Sequence, residues 1–420
     1  MKKIIFNQHI YSLLLLIIML PGCLKDKATH TYTISTPVYK TLSELRLSMK
    51  AGPATNLDNI GKIYVQGNYI FVNEKEKGIH IIDNSNPSSP RNISFINIPG
   101  NEDIAIKGYT LYADAYTDLV AFDISDPLHV APKKFLTNVF PERGNYYPNT
   151  NPDSILVIVD WITKDTTVPY DAVPPYYTGC PVCGYLYSTS TPSASQGNKG
   201  IGGSMARFTV IGDNLYTVTT QNLNVFDISV SENPTFQNKS QLNWNAETIF
   251  PFKNWLFIGS NNGIFIYDIQ SSPDNPSPVG QFAHARACDP VIADDNYAYV
   301  TLSDGTKCQG YENQLDILDI KNLDVGNSFL AKSYPLTHPQ GLAKDGSTLF
   351  ICDGKDGLKI FDATDVLNLK LINNLKDAET FDVIAAKGLA IVVAKDGLYQ
   401  YNYSDINSIH LISKLATGKN

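Results

Sequence analysis

The chain has 420 residues, a net charge of −8 and only 18% charged side chains, with 24 Tyr and 18 Phe. This balance excludes nucleic acid as a partner, because phosphate backbones are met by basic surfaces. The length would ordinarily mean two or three domains, unless repeated units bury their faces against one another.

At the N-terminus Lys2 and Lys3 precede a short apolar run, Ile10 to Leu20. The run is too short to span a bilayer and has the flanks of a secretory signal peptide. It ends Leu20-Pro21-Gly22-Cys23. A small residue followed by cysteine at this place resembles a bacterial lipobox. The resemblance implies removal of residues 1–22 and lipidation of Cys23, with ordinary secretion as the alternative. It places the protein in the cell envelope, on a bacterial outer membrane, held by acyl chains that each gain ~0.8 kcal/mol per buried CH₂. Residues 23–38 are polar and read as a tether, and 39–420 as the folded body. Val38 to Met49 reads as a strand that closes that body, or else as a short helix. No later stretch has the composition of a membrane helix.

From there a single pattern recurs. Ile79-His80-Ile81-Ile82-Asp83 returns as Leu119 to Asp123, Leu223 to Asp227, Ile264 to Asp268, Leu315 to Asp319 and Leu358 to Asp362. A degenerate copy is Leu398 to Asn402. The closing residues lie 40, 104, 41, 51, 43 and 40 apart. A period near forty built of short β segments predicts an all-β chain forming a single β-propeller. Seven blades are expected, with six or eight as alternatives. The third unit reads as strand A over 207–211, a Gly212-Asp213-Asn214 turn, strand B over 215–219, strand C over 223–228 and strand D near 235–242. The Asp closing strand C is expected to cap the following turn. The surplus between the second and third units becomes an insertion, 141–203, between a strand D and a strand A, and so on the top face.

The apolar run closed by Asp and followed by Ser/Asn-Pro, seven times in phase, resembles the LVIVD-repeat β-propellers of bacterial surface lipoproteins. The segment Gly202-Gly203-Ser204-Met205-Ala206-Arg207-Phe208 is similar to members common in Bacteroidetes. The resemblance covers about 58–418 and implies the propeller fold. It carries no agreed activity or catalytic residue.

Chemistry is sought where strand A begins, at the mouth of the central channel. One offset across the repeats gives Gly61, Glu102 (or Asp103), Arg207, Glu247, Asp289, Gln340 and Asp382. This polar ring reads either as a hydrated entrance in which Arg207 neutralises its neighbours, or as a ligand site. His284 and His338 fall near the same rim, as solvated loop residues or as a general base. Clustered carboxylates would suit Ca²⁺, but no clustering is shown by sequence, and no cofactor is expected. Cys180 and Cys183 in the insertion, with Cys288 and Cys308 around the fifth unit, suit disulfides in an oxidising compartment; a four-cysteine Zn²⁺ site is the alternative. Cys352 is left over, as a buried thiol. Tyrosines crowd the insertion, among them Tyr146, Tyr147, Tyr176 and Tyr177, as a binding surface or as packing. There is no Gly-x-Ser-x-Gly elbow, no His-Glu-x-x-His pair and no phosphate loop. The residues therefore point to a monomeric binding module for an envelope protein, peptide or glycan. The alternative is a glycan hydrolase or lyase using the mouth carboxylates.

Overall fold

The computed structural model describes residues 29–143, 156–169, 201–242, 245–283, 290–304, 313–321 and 329–418. Cys23, Cys180, Cys183, His284, Cys288, Asp289, Cys308 and the insertion tyrosines lie outside them. The described residues fall into two units. The smaller is a two-stranded sheet of Thr29–Thr41 with Leu156–Pro169. Its Thr-rich strands are joined by side chains, with Thr33 Oγ1 donating to Asp165 Oδ1 at 2.7 Å. The tether expected up to residue 38 is thus partly strand.

The larger unit is a propeller of seven antiparallel blades of four strands each, blade 1 being extended to six by Ile201–Gly202 at its inner edge and Ala51–Pro53 at its outer edge. Blade 1 contains strands Ile60–Gln66, Tyr69–Glu74, Gly78–Asp83 and Arg91–Asn97, here A to D from the channel outward. Blades 2 to 7 span 104–136, 208–241, 246–283, 291–335, 342–375 and 380–416. Strands B and C are buried on both faces, because each blade stacks on two neighbours. That burial is why they read as continuous Ile, Leu, Val and Phe runs. Strands D are half exposed and polar.

The residue closing strand C does the same work in every blade. The Oδ1 of Asp83, Asp123, Asp227, Asp268, Asp319, Asp362 and Asn402 accepts the backbone N–H two residues on, at 2.7–3.2 Å. This is an Asx turn. The Ser85 hydroxyl and N–H hold the Asp83 carboxyl down to about 2, and Ser125 does the same for Asp123.

At the N-terminal edge the closing strand is corrected and the alternative, a short helix, stands. Val38 to Met49 does not supply a closing strand. Leu42–Ser48 is a helix (α1), set by a capping box: Glu44 N–H donates to Thr41 Oγ1 at 3.1 Å and Thr41 N–H to Glu44 Oε2 at 2.7 Å. The local Thr-x-x-Glu signal outweighs β propensity here, and Leu42 and Leu45, three apart on one helical face, are both buried. The ring also closes without strand exchange, since blade 7 is wholly C-terminal. Ile60, Ile63 and Ile70 of blade 1 pack with Ile384, Ile391 and Val393 of blade 7. Asn84 and Gln400 exchange amide hydrogen bonds at 3.0 and 2.8 Å across the join.

Candidate functional site

Among the described residues three strands A begin with a register shift: Ile60/Ile63 in blade 1, Ala246/Thr248 in blade 4 and Thr380/Asp382 in blade 7. Such a bulge re-aims side chains where the strand leaves its sheet. It turns the first residues of these strands into the channel mouth.

The mouth is not open. The end of the insertion, residues 201–207, runs inside the ring. Ile201–Gly202 pairs with strand A of blade 1, on its channel side. Gly203 N–H donates to Ile63 O at 3.2 Å. Leu342 N–H of blade 6 donates to Ser204 Oγ at 2.7 Å, and Ile249 N–H of blade 4 to Ala206 O at 2.7 Å. Arg207 N–H donates to the Asp103 carboxylate of blade 2. One short segment therefore ties together blades 1, 2, 4 and 6. It needs Gly203, because a Cβ there would stand 2.3 Å from Asp382 Oδ2 of blade 7. Backbone thus occupies part of the channel, while Arg207 pairs with Glu102 as the neutralising role expected of it requires.

Around the segment the polar ring sorts into two classes. The first is locked in pairs. Lys62 Nζ contacts Asp103 Oδ2 at 2.6 Å. Arg207 and Arg143 both reach Glu102 Oε2, at 3.2 and 3.1 Å. Arg143 also pairs with Asp114, whose Oδ1 accepts the N–H groups of Glu102 and Asp103 at 2.9 Å each. Burial pushes the Asp103 carboxyl up and the Lys62 ammonium down, each opposed by the other's charge.

The second faces a cavity of about 290 Å³ between blades 1, 6 and 7, whose wall includes Ile60, Lys75, Met205, Gln340, Phe381 and Asp382 beside the paired Lys62 and Glu102. Within it, three polar groups have no partner among the described residues. They are the Lys75 ammonium, the Gln340 amide and Asp382 Oδ2. Asp382 is 1% exposed and wedged between Gly203 and Gly341. Burial pushes its carboxyl well above the usual range, against the Val383 N–H and the Lys62 charge. Burial and the neighbouring Lys62 lower Lys75, against the charge of Glu74.

The structure thus brings Glu102, Gln340 and Asp382 to one cavity, with Asp103 and Arg207 as its buried supports. Glu247 is buried at the start of blade 4 but does not line the cavity. His338 does not line it either: it is 53% exposed on its side chain and contacts Asp304 at 3.0 Å. Lys62, Lys75 and Arg143 were missed by the repeat offset. Lys62 is displaced by the blade 1 bulge, and Lys75 enters from the end of strand B. Cys352 is a buried free thiol, as expected. Among the described residues no group of three or more His, Cys, Asp or Glu is placed to hold a metal.

A raised acid has a defined signature in stability. The folded state keeps the Asp382 proton at a pH where the unfolded chain has released it, so stability falls as pH rises above about 4. Asp382→Asn removes this loss. Its stability relative to the parent is expected to grow from pH 4 to 7 in urea titrations; parallel pH profiles would contradict a buried, protonated Asp382.

Comparison with known proteins agrees with this architecture. The family model described as LVIVD repeat matches residues 59–96 and 101–134, the stretch of blades 1 and 2. The chain carries LVIVD repeats. No curated protein matches it. Among solved structures it resembles a protein of Lactobacillus plantarum at 12% identity and TM-score 0.54, covering 85% of this chain and 96% of that one. It also resembles the periplasmic gluconolactonase of Pseudomonas aeruginosa at 10% and 0.52, covering 85% and 96%. The computationally designed Ika8 protein is similar at 8% and 0.51, covering 87% and 91%. At these identities the likeness is one of fold.

Proposed function

We propose that this protein is a lipid-anchored cell-envelope binding module that takes a small ligand, or the end of a glycan or peptide, into the mouth cavity. The observation that carries the reading is the contrast within the mouth. Most of its charges are spent on each other, while Lys75, Gln340 and Asp382 Oδ2 face one cavity with no partner among the described residues. Unsatisfied polar groups cost stability unless something completes them, and a few convergent polar groups on a concave apolar wall suit ligand recognition. A thermal-shift panel of glycans, peptides, small acids and ions tests this. A ligand that raises the melting midpoint is expected, with the rise absent in Gln340→Leu. Failure of every class would count against the cavity as a site. For the anchor, Cys23→Ser is expected to move the protein from the membrane fraction to the soluble fraction.

A second reading, a hydrolase or lyase acting on sugars, draws on Asp382 and Glu102 in one cavity. A proton-holding acid beside a second carboxylate is the pairing such chemistry uses. A gluconolactonase shares the fold. Against it, two arginines already hold Glu102. Release of reducing ends from envelope polysaccharide, lost in Asp382→Asn, would favour this reading.

A further inference from the structure

Resting on the cavity reading above, we propose that the ligand is a small hydroxylated carboxylate of hexuronate size, its carboxylate bound by Lys75 and its carbon skeleton laid on the wall of Ile60, Phe381 and Val393. The cations around the mouth differ in one respect. Lys62 has Asp103, Arg143 has Asp114, Arg207 has Glu102 and Lys395 has Glu379 at 3.0 Å. Lys75 alone among these has no carboxylate within ion-pair distance among the described residues, although it is half-buried and stands beside Lys62. An incoming anion relieves the repulsion between the two ammonium groups, and a cation adds to it. None of the carboxylates on the wall, Asp58, Glu76, Glu102 and Asp382, is within ion-pair distance of Lys75 among the described residues. Glu102 is held by two arginines, and Asp58 faces Lys77 at 3.8 Å.

Asp382 supports an anion rather than opposing it. It lies at the cavity wall with Oδ2 unpartnered and 1% exposed. In its protonated form it donates a hydrogen bond to a carboxylate or hydroxyl oxygen, and a donor to an ionised acceptor is the stronger kind. The Gln340 amide adds a donor and an acceptor suited to sugar hydroxyls. At about 290 Å³ the cavity sits near the lower end of ligand sites, roughly 300–1,000 Å³, so one sugar ring fits and an oligosaccharide enters by its end only.

The test is calorimetric titration of the full-length protein in detergent with D-galacturonate, its neutral methyl ester, D-glucose and D-glucosamine. Galacturonate is expected to bind at least tenfold more tightly than the ester or glucose. Lys75→Met should remove that preference without lowering the unliganded melting midpoint, since it also removes the repulsion from Lys62, and Lys75→Arg should keep it. Equal binding of acid and ester, or a preference for glucosamine, overturns the anionic ligand while leaving the cavity as a site. Absence of binding by all four, together with Gln340→Leu being silent across the wider thermal-shift panel, overturns both.

Discussion

Replacing Asp103 by alanine is expected to lower the stability of the propeller by about 3–5 kcal/mol at neutral pH, the usual consequence of removing one partner from a buried ion pair. Asp103 is 1% exposed on its side chain and Lys62 11%, so water cannot take over either role. The Asp103 carboxylate accepts both the Lys62 ammonium and the backbone N–H of Arg207. Its loss therefore strands a charge in blade 1 and a donor in the segment that fills the channel. The pH dependence identifies the cause. Burial already lowers the Lys62 ammonium, and without Asp103 it falls further. A lysine depressed in the folded state gains stability as pH rises towards its unfolded value near 10.4. The deficit of Asp103→Ala should therefore shrink between pH 7 and 10. Chemical denaturation across that range checks it. A deficit under 1 kcal/mol, or one that widens with pH, contradicts the buried pair.

Gly203→Ala is the second large effect, at about 1–3 kcal/mol by overpacking. The new Cβ would meet Asp382 Oδ2 at 2.3 Å and its Cγ at 2.8 Å. Gly341 confines the carboxyl on the other side, where a Cβ would lie 2.8 Å from Oδ1, so it can yield only towards the cavity. The effect is specific to that contact, so a double-mutant cycle isolates it. Asp382→Ala removes the clashing atoms, and the double variant is expected to be more stable than the sum of the single losses by about 1 kcal/mol or more. Simple additivity would show that the segment does not lie against Asp382.

The blades were legible in the sequence because strands B and C are buried on both faces and obey one rule seven times. The Asp that ends strand C was legible for the same reason, since a short acceptor before Ser or Asn has one local use. The mouth was only partly legible. A fixed offset from the A–B turn finds Glu102, Gln340 and Asp382, but it assumes an unbroken strand. The bulge between Ile60 and Ile63 breaks that assumption, so the offset lands on Gly61 and misses Lys62. Lys75 belongs to a different strand end and shares no phase with the ring. The helix at Leu42–Ser48 was legible in Thr41 and Glu44 but was outweighed by the expectation of a closing strand. The path of residues 201–207 has no periodic signal at all. Gly202-Gly203-Ser204 is simply small, and smallness becomes informative only once five blades are seen to crowd it.

The filled channel underlies both the cavity's shape and the burial of Asp382. Amide hydrogen exchange of the full-length protein, read at Gly203, Ile249 and Leu342, tests it most directly. Those N–H groups donate to Ile63 O, Ala206 O and Ser204 Oγ. Protection comparable to that of the strand B amides is expected, since these bonds break only when the ring opens. Exchange of Gly203 and Leu342 as fast as an exposed turn would mean that the segment does not fill the channel, and that the cavity described here is not a fixed feature of the propeller.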